Sequence, residues 1–142
     1  NPITLNSIDK QTNVLYNSVM DLNYLQDLEA EDFYDSIIEL APEWTNDIIR
    51  TDNNLVHGCQ SRVWLTLDSD IGISYDSDSL FVKGLITAVV SQLNSIEEMV
   101  NVKTDDYSFI NLETISYQRI RGIDSFISKL NGLASLNTTV RG

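Results

Sequence analysis

The sequence contains a single cysteine, Cys59, among its 142 residues. One thiol excludes a disulfide within the chain, and it excludes a metal site that takes several thiolate ligands from one copy. The chain also has one histidine, His57, and it carries no glycine-rich phosphate loop, zinc-ligand spacing or nucleotide-binding fingerprint. The common sequence signatures of metal and nucleotide chemistry are therefore absent.

Basic residues are scarce as well, because 9 Lys and Arg stand against 21 Asp and Glu, for a formal net charge of -12. Such a surface repels a phosphate backbone, so we expect no nucleic-acid partner. The longest apolar run, residues 85–90 with Thr87 inside it, is far shorter than the roughly 18 residues that span a membrane, so we expect no membrane partner. The first 20 residues lack a basic start followed by an apolar stretch, which predicts no secretory signal and a cytoplasmic location.

The chain does contain enough apolar material for one folded domain over residues 1–142. Hydrophobic residues make up 42% of it, which is ordinary for a globular protein of this length. Apolar residues recur at helical spacing in several segments, with a frayed tail after the last: residues 1–26, 31–41, 80–93, 95–102 and 117–136. Pro42 ends the second of these helices, and Asp76-Ser77-Asp78-Ser79 offers capping side chains before the third.

Two segments between these helices alternate apolar and polar residues instead. Residues 63–67 alternate, Asp68-Ser69-Asp70 follows, and residues 71–75 alternate again, which predicts an antiparallel hairpin. Residues 55–57 are predicted as a third short strand, which leaves Gly58-Cys59-Gln60 as the bend between strands. The order of elements indicates an α+β fold, in which a short antiparallel three-stranded sheet packs against helices.

Cys59 is the first candidate for chemistry. A free cysteine is often only a small buried hydrophobic residue. Here it follows Gly58 in a predicted bend and precedes the polar Gln60, which favours an accessible thiol at a loop tip. His57 lies two residues away, so the pair has the residue types of a nucleophile and its base, although a lone histidine in a polar bend is more often simply solvated.

Two acidic pairs, Asp68/Asp70 and Asp76/Asp78, suggest a calcium loop. An EF-hand loop needs glycine at its sixth position and glutamate at its twelfth. Counted from Asp68, those positions hold Ile73 and Ser79. Turn formation and helix capping are therefore the favoured roles for these carboxylates.

The residues around the cysteine resemble a known family. The run VHGCQSRVWL, residues 56–65, is similar to the SufE signature, in which V-x-G-C-Q-S-x-V-W-L surrounds the sulfur-accepting cysteine. Other segments resemble SufE proteins in the same order, and together they cover roughly residues 28–134: DFYDSIIEL at 32–40, DNN at 52–54, DSDS at 76–79 followed by VKGL at 82–85, and SYQRIRGI at 116–123. In the last segment Arg119 and Gly122 are in register, whereas Tyr117 and Gln118 replace the proline and serine of the family.

The resemblance implies a sulfur carrier with a SufE/IscU-like fold. Such a protein docks on a pyridoxal-phosphate cysteine desulfurase of the SufS or CsdA type, stimulates it, and accepts its persulfide sulfur on the residue that corresponds to Cys59. The sulfur then passes to a SufB-type scaffold or another acceptor for iron–sulfur cluster assembly. The carrier binds no cofactor of its own, because the pyridoxal phosphate belongs to the desulfurase.

The resemblance also implies supporting roles around Cys59. The segment with Arg119 lies near the cysteine loop in the family, so its charge is a candidate to favour a thiolate, with a surface ion pair as the alternative. Gly58, Gln60 and His57 are the other candidate supporting residues. IscU-type cluster sites use several cysteines, and the single cysteine favours a carrier over a scaffold.

Two other function classes stay open at this point. A stand-alone cysteine enzyme would turn over a substrate by itself and would need His57 as base for Cys59. A non-catalytic interaction domain would keep its partner binding without any thiol chemistry.

Overall fold

Helices and one hairpin make up the structure in the order that the sequence pattern predicts. A computed structural model describes residues 21–68 and 72–141, the side chains of residues 138–141 excepted. The helices and strands are α1 (Ala30–Leu40), β1 (Val63–Asp68), β2 (Gly72–Ser77), α2 (Leu80–Val90), α3 (Ile96–Asn101) and α4 (Tyr117–Arg141). Short 3-10 turns lie at Asn23–Asp27, Asp47–Ile49, Asp52–Asn54 and Thr104–Asp106. The α+β class is confirmed.

The sheet has two strands in the described part of the chain, so the prediction of three strands is wrong. β1 and β2 pair antiparallel, from Val63 opposite Ser77 to Asp68 opposite Gly72. The predicted third strand at residues 55–57 is reduced to one bridge, Leu55 to Trp64, and one bond from the Val56 amide to the Val63 carbonyl, 2.7 Å.

The backbone before the cysteine leaves the sheet early and is held by α4. The ammonium of Lys129 on α4 donates to the carbonyls of Asn53 and Leu55, at 3.3 and 3.2 Å. The chain turns away from the sheet at Gly58, whose φ is +100°, so pairing with β1 ends after Val56. The turn at Gly58 therefore limits the strand, and Lys129 fixes the backbone of residues 53–55 ahead of it.

Helix α2 forms the centre of the core, and most of its side chains are buried. The Ser79 hydroxyl caps its first turn by accepting from the Val82 amide, as the run of capping residues predicts. The helix approaches α1 so closely at Gly84 that a Cβ there would lie 2.0 Å from the carbonyl oxygen of Ile37. Glycine at this position allows α1 and α2 to pack in direct backbone contact.

Helix α4 packs on β1 and on α3. Its buried face follows helical spacing through Ile123, Phe126, Ile127, Leu130 and Ala134. The side-chain amide of Asn131 donates to the carbonyls of Met99 and Val102, which fixes the end of α3 against it. The helix continues beyond the predicted end at residue 136, to Arg141, and most of the predicted N-terminal helix lies outside the described residues.

A buried ion cluster joins the sheet to the helices. The carboxylate of Asp76, which is 0% exposed, accepts four hydrogen bonds of 2.9 Å, from the Asn46 amide, the Arg50 guanidinium, the Lys83 ammonium and the Ser77 amide. Burial alone would raise the pKa of Asp76, but these hydrogen bonds outweigh burial and lower that pKa below its usual value. Asp76 therefore holds elements together in the role of a structural anion.

None of the helices in the described ranges is long and apolar enough to cross a membrane.

Candidate functional site

The segment that carries Cys59 lies over the first turns of α4. It follows Val56 and returns to β1 at Val63, with a turn at residues 57 and 58. Gly58 has a φ of +100°, which side-chain-bearing residues rarely adopt, and a Cβ there would lie 2.5 Å from the Ser125 hydroxyl. We call residues 57–62 the cysteine loop. Glycine allows this loop to turn sharply and to lie directly on α4.

Cys59 is half-buried against the same helix. Its thiol donates to the carbonyl oxygen of Gly122 at 3.4 Å, and a Cβ at Gly122 would lie 3.5 Å from the sulfur. Burial raises the pKa of the Cys59 thiol above its ordinary value. In the free protein the sulfur is therefore kept as a neutral thiol beside a small residue of α4.

A small cavity of about 70 Å³ opens next to the sulfur. Its apolar walls are Val63, Val82, Leu85, Ile86, Ile123 and Phe126, and its polar lining is Gln60, Ser61, Gln118 and Arg119. One water-sized group needs roughly 10–15 Å³ of such space, so the cavity is large enough for an additional atom on the Cys59 sulfur. We call it the sulfur pocket.

Arg119 lines the sulfur pocket and rests on two aromatic rings. Its guanidinium carbon lies 4.4 Å from the centroid of Phe81 and 5.8 Å from that of Tyr34, and these rings stack on each other at 4.8 Å. No carboxylate of the described residues lies within 4.0 Å of it, so the surface ion pair considered as its alternative role is not found there. Cation–π contacts of this kind hold an arginine in place and leave its charge available.

His57 is separated from Cys59. It is exposed and lines an open depression on the other side of the cysteine loop, together with Arg121 and Lys129 of α4. Within the described parts of the chain no hydrogen bond joins His57 to Cys59, whose thiol donates to Gly122. The nucleophile–base pair required by a stand-alone cysteine enzyme is therefore not assembled.

Gly58 and Gln60, two of the other candidate residues, lie next to Cys59 in the cysteine loop. Gly58 supplies the turn, and Gln60 is exposed and lines the sulfur pocket. Sequence reasoning missed Gly122 as the contact of the thiol, although the register of its segment with the SufE pattern already marked it. It also missed Tyr34 and Phe81, which lie far from Arg119 in the chain and carry no local signal.

The described residues contain no group of three or more His, Cys, Asp or Glu side chains placed to hold a metal ion. The chemistry that the site offers is that of a single sulfur nucleophile. A half-buried thiol of raised pKa must become accessible and lose its proton before it attacks a donor. The loop position allows such a movement without unfolding a helix or strand.

Comparisons with known proteins place this chain in a family. A family model described as "SufE: Fe-S metabolism associated domain" matches residues 20–134, a range that contains Cys59, Arg119 and Gly122. An uncharacterized SufE-like protein of Rhizobium meliloti (strain 1021) is 32% identical over 120 residues, which are 75% of this chain and 85% of that protein. The chloroplastic quinolinate synthase of Arabidopsis thaliana is 30% identical over 96 residues, 62% of this chain but only 12% of that much longer protein.

Proposed function

Because this chain belongs to the SufE family, which is associated with Fe-S metabolism, we propose that it carries one sulfur atom as a persulfide on Cys59. In this proposal the donor is a pyridoxal-phosphate cysteine desulfurase of the SufS or CsdA type, which the carrier stimulates by removing its sulfur. The acceptor is a SufB-type scaffold or another protein of iron–sulfur cluster assembly. The carrier itself supplies the thiol and needs no cofactor for this step.

One observation carries the proposal: the Cys59 sulfur lies at a loop over α4, beside a mostly apolar pocket of about 70 Å³. A carrier needs a sulfur that reaches into a partner's active site and then holds its cargo away from water and other thiols. The loop supports the first requirement because residues 57–62 belong to no helix or strand of the structure. The pocket supports the second because it has room for an additional sulfur atom on Cys59.

The transfer step is a thiol exchange that balances without an oxidant or reductant. The Cys59 sulfur, as thiolate, attacks the outer sulfur of the persulfide on the desulfurase cysteine. A new S–S bond forms on Cys59, the donor S–S bond breaks, and the desulfurase cysteine leaves as a thiolate that takes up the proton released from Cys59. The products are a Cys59 persulfide and a free desulfurase thiol that is ready for another turnover.

The neighbours of Cys59 have distinct parts in this step. In the free protein, burial keeps the thiol neutral and therefore slow to react with stray oxidants or electrophiles. When the loop leaves α4, the thiol loses its bond to the Gly122 carbonyl, and burial no longer opposes its ionisation. Arg119, which lines the same pocket, supplies a positive charge beside a persulfide that returns to it.

Intact-mass measurement tests the proposal directly. We expect that incubation with a SufS-type desulfurase and cysteine, without reductant, adds about 32 Da to the protein, one sulfur atom, and that a reducing agent removes it. Cys59→Ser should gain no mass and should not stimulate the desulfurase, although it should fold normally because the substitution is nearly isosteric. The chain has no other cysteine, so the site of addition is unambiguous.

Two results would contradict the proposal. Full stimulation of the desulfurase by Cys59→Ser would leave an interaction domain that acts by binding alone. Absence of any added mass with both SufS-type and CsdA-type desulfurases would remove the carrier function itself.

A further inference from the structure

A second surface of α4 borders the cysteine loop on the side away from the sulfur pocket. Its side chains follow one helical stripe, at spacings of three and four residues: Arg121, Asp124, Ser125, Ser128 and Lys129. The stripe faces His57 and the two residues before it across an open depression of about 570 Å³. We call this surface the basic depression. The sulfur carrier mechanism above makes no use of it.

The distribution of positive charge makes this surface unusual for the molecule. Three cations of the described residues, Arg50, Arg62 and Lys83, are taken up in ion pairs with Asp76 or Asp78. The other cations whose side chains the structure describes, Lys103, Arg119, Arg121 and Lys129, have no described carboxylate within 4.0 Å. Arg119 lines the sulfur pocket, and Arg121 and Lys129 line the basic depression. Among the described side chains, most of the cations without an ion pair therefore lie around the cysteine loop of a protein whose formal net charge is -12.

The basic depression is also mechanically connected to that loop. Lys129 donates to the carbonyls of Asn53 and Leu55, at the start of the segment that leads to Cys59. Ser125 lies directly under Gly58. A group bound in the depression would therefore lie against the loop that has to move during sulfur transfer.

Resting on the proposed function, we propose that the basic depression docks an acidic segment of the sulfur-donating partner protein, with Arg121 as its main contact. The -12 charge repels an acidic surface from most of the molecule, whereas this face attracts it. Charge complementarity of this kind accelerates and orients encounters. The orientation that results brings the cysteine loop towards the partner.

The shape and lining of the depression favour a protein segment over a small free anion. The depression is wide and open to solvent, so water would compete strongly with a lone anion for the cationic side chains. The carboxylate of Asp124, which accepts a hydrogen bond from the Thr104 hydroxyl, lies in the same depression and would repel a small anion. A peptide offers carboxylates for Arg121 and Lys129 together with backbone N–H donors for Asp124.

Charge reversal at Arg121 tests this assignment against a matched control. Arg121→Glu and Lys103→Glu change the net charge of the chain by the same two units, and both residues are exposed, but Lys103 does not line the depression. The Kd for a SufS-type desulfurase is measured without cysteine, at about 0.05 and 0.5 M salt, a range over which exposed charges pass from weak to strong screening. Lys129 is left unchanged because it also holds the backbone of residues 53–55.

We expect Arg121→Glu to raise the Kd at low salt by about tenfold or more, because a like charge then faces the partner's acidic segment. Lys103→Glu should raise it less than about threefold, and Arg121→Lys should bind nearly as tightly as the wild type. High salt should bring the affinities of the wild type and Arg121→Glu together.

Equal Kd values for Arg121→Glu and Lys103→Glu would overturn the docking assignment and would leave only a general charge effect. In that case, sulfur uptake on Cys59 of the wild type would still support the carrier function. If the wild type takes up no sulfur, the proposed function fails, and the docking assignment fails with it.

Discussion

At the scale of single residues, the position of Cys59 combines two opposed properties. Cys59 lies in a loop outside any helix or strand, yet its sulfur is half-buried against Gly122 and beside a mostly apolar pocket. Burial raises the pKa of the thiol, which lowers the fraction of reactive thiolate at neutral pH. The free carrier is therefore less reactive than an exposed thiol, and its reactivity depends on displacement of the loop.

Alkylation kinetics measure this property. We expect iodoacetamide to modify native Cys59 with a pH–rate midpoint above that of the same chain unfolded in urea, because only the folded state buries the thiol. The rate should rise with pH in both states, and the ratio of the unfolded to the native rate should be largest at pH values below both midpoints. The midpoint, in contrast to the absolute rate, separates ionisation from steric access. A native midpoint below the unfolded one would mean that a nearby positive charge, and not burial, determines the pKa of the Cys59 thiol.

At the scale of elements, the contact between α1 and α2 positions part of the site. Gly84 lies one helical turn after Phe81, and Ile37 lies one turn after Tyr34, so the backbone contact between Gly84 and Ile37 sets the distance at which the two rings stack. Arg119 rests on those rings beside the sulfur pocket. Close packing of the two helices thus helps to position the Arg119 guanidinium beside Cys59.

Gly84→Ala tests the close contact between α1 and α2. Its methyl group would lie 2.0 Å from the Ile37 carbonyl oxygen, so the helices must separate, and we expect the free energy of unfolding to fall by roughly 1–3 kcal/mol. Gly132→Ala on α4 is the matched control, because its Cβ would meet nothing within 4 Å and alanine favours a helix by up to about 1 kcal/mol over glycine. Urea denaturation of both variants gives the values. Equal stability changes in the two variants would rule out the close contact.

The element scale also shows which parts of this fold a sequence can predict. Bounds of α1, β1 and β2 follow from local periodicity, and Ser79 caps α2 because capping depends only on neighbours in the chain. The prediction of a third strand is wrong because Gly58 turns the chain away from β1 and towards Ser125 of α4, a tertiary contact that the pattern of residues 55–57 does not encode. Cys59 was predicted from its own neighbours, and Arg119 from a family resemblance. The contact of Gly122 with the Cys59 thiol and the packing of Arg119 on Tyr34 and Phe81 depend on the tertiary structure, which no local pattern encodes.

At the scale of the whole molecule, Asp76 connects elements that are distant in sequence. Its carboxylate on β2 binds Lys83 on α2 and Arg50 beside the 3-10 turn at Asp47–Ile49, and Lys83 also donates to the Trp44 carbonyl at 2.7 Å. Because the ion pair with Lys83 is almost fully buried, loss of one partner leaves the other charge without compensation. Stability of the fold against acid therefore depends strongly on the ionisation of this one carboxyl group.

The pKa of Asp76 is lowered in the folded state, so its contribution to stability is present above the unfolded pKa, about 4, and is lost as pH falls through the lower folded value. We expect Asp76→Asn to lower the free energy of unfolding by roughly 3–5 kcal/mol at neutral pH, and the deficit to shrink as pH falls below about 4.

Asp78→Asn, which removes a more exposed pair with Arg62, should cost at most about 1.5 kcal/mol. Adding Lys83→Met to Asp76→Asn should recover part of the loss, because it removes the stranded cation. Urea denaturation between about pH 3 and 7 measures each variant. A deficit for Asp76→Asn that stays constant across this range would show that its carboxylate stabilises the fold through packing and not through its charge.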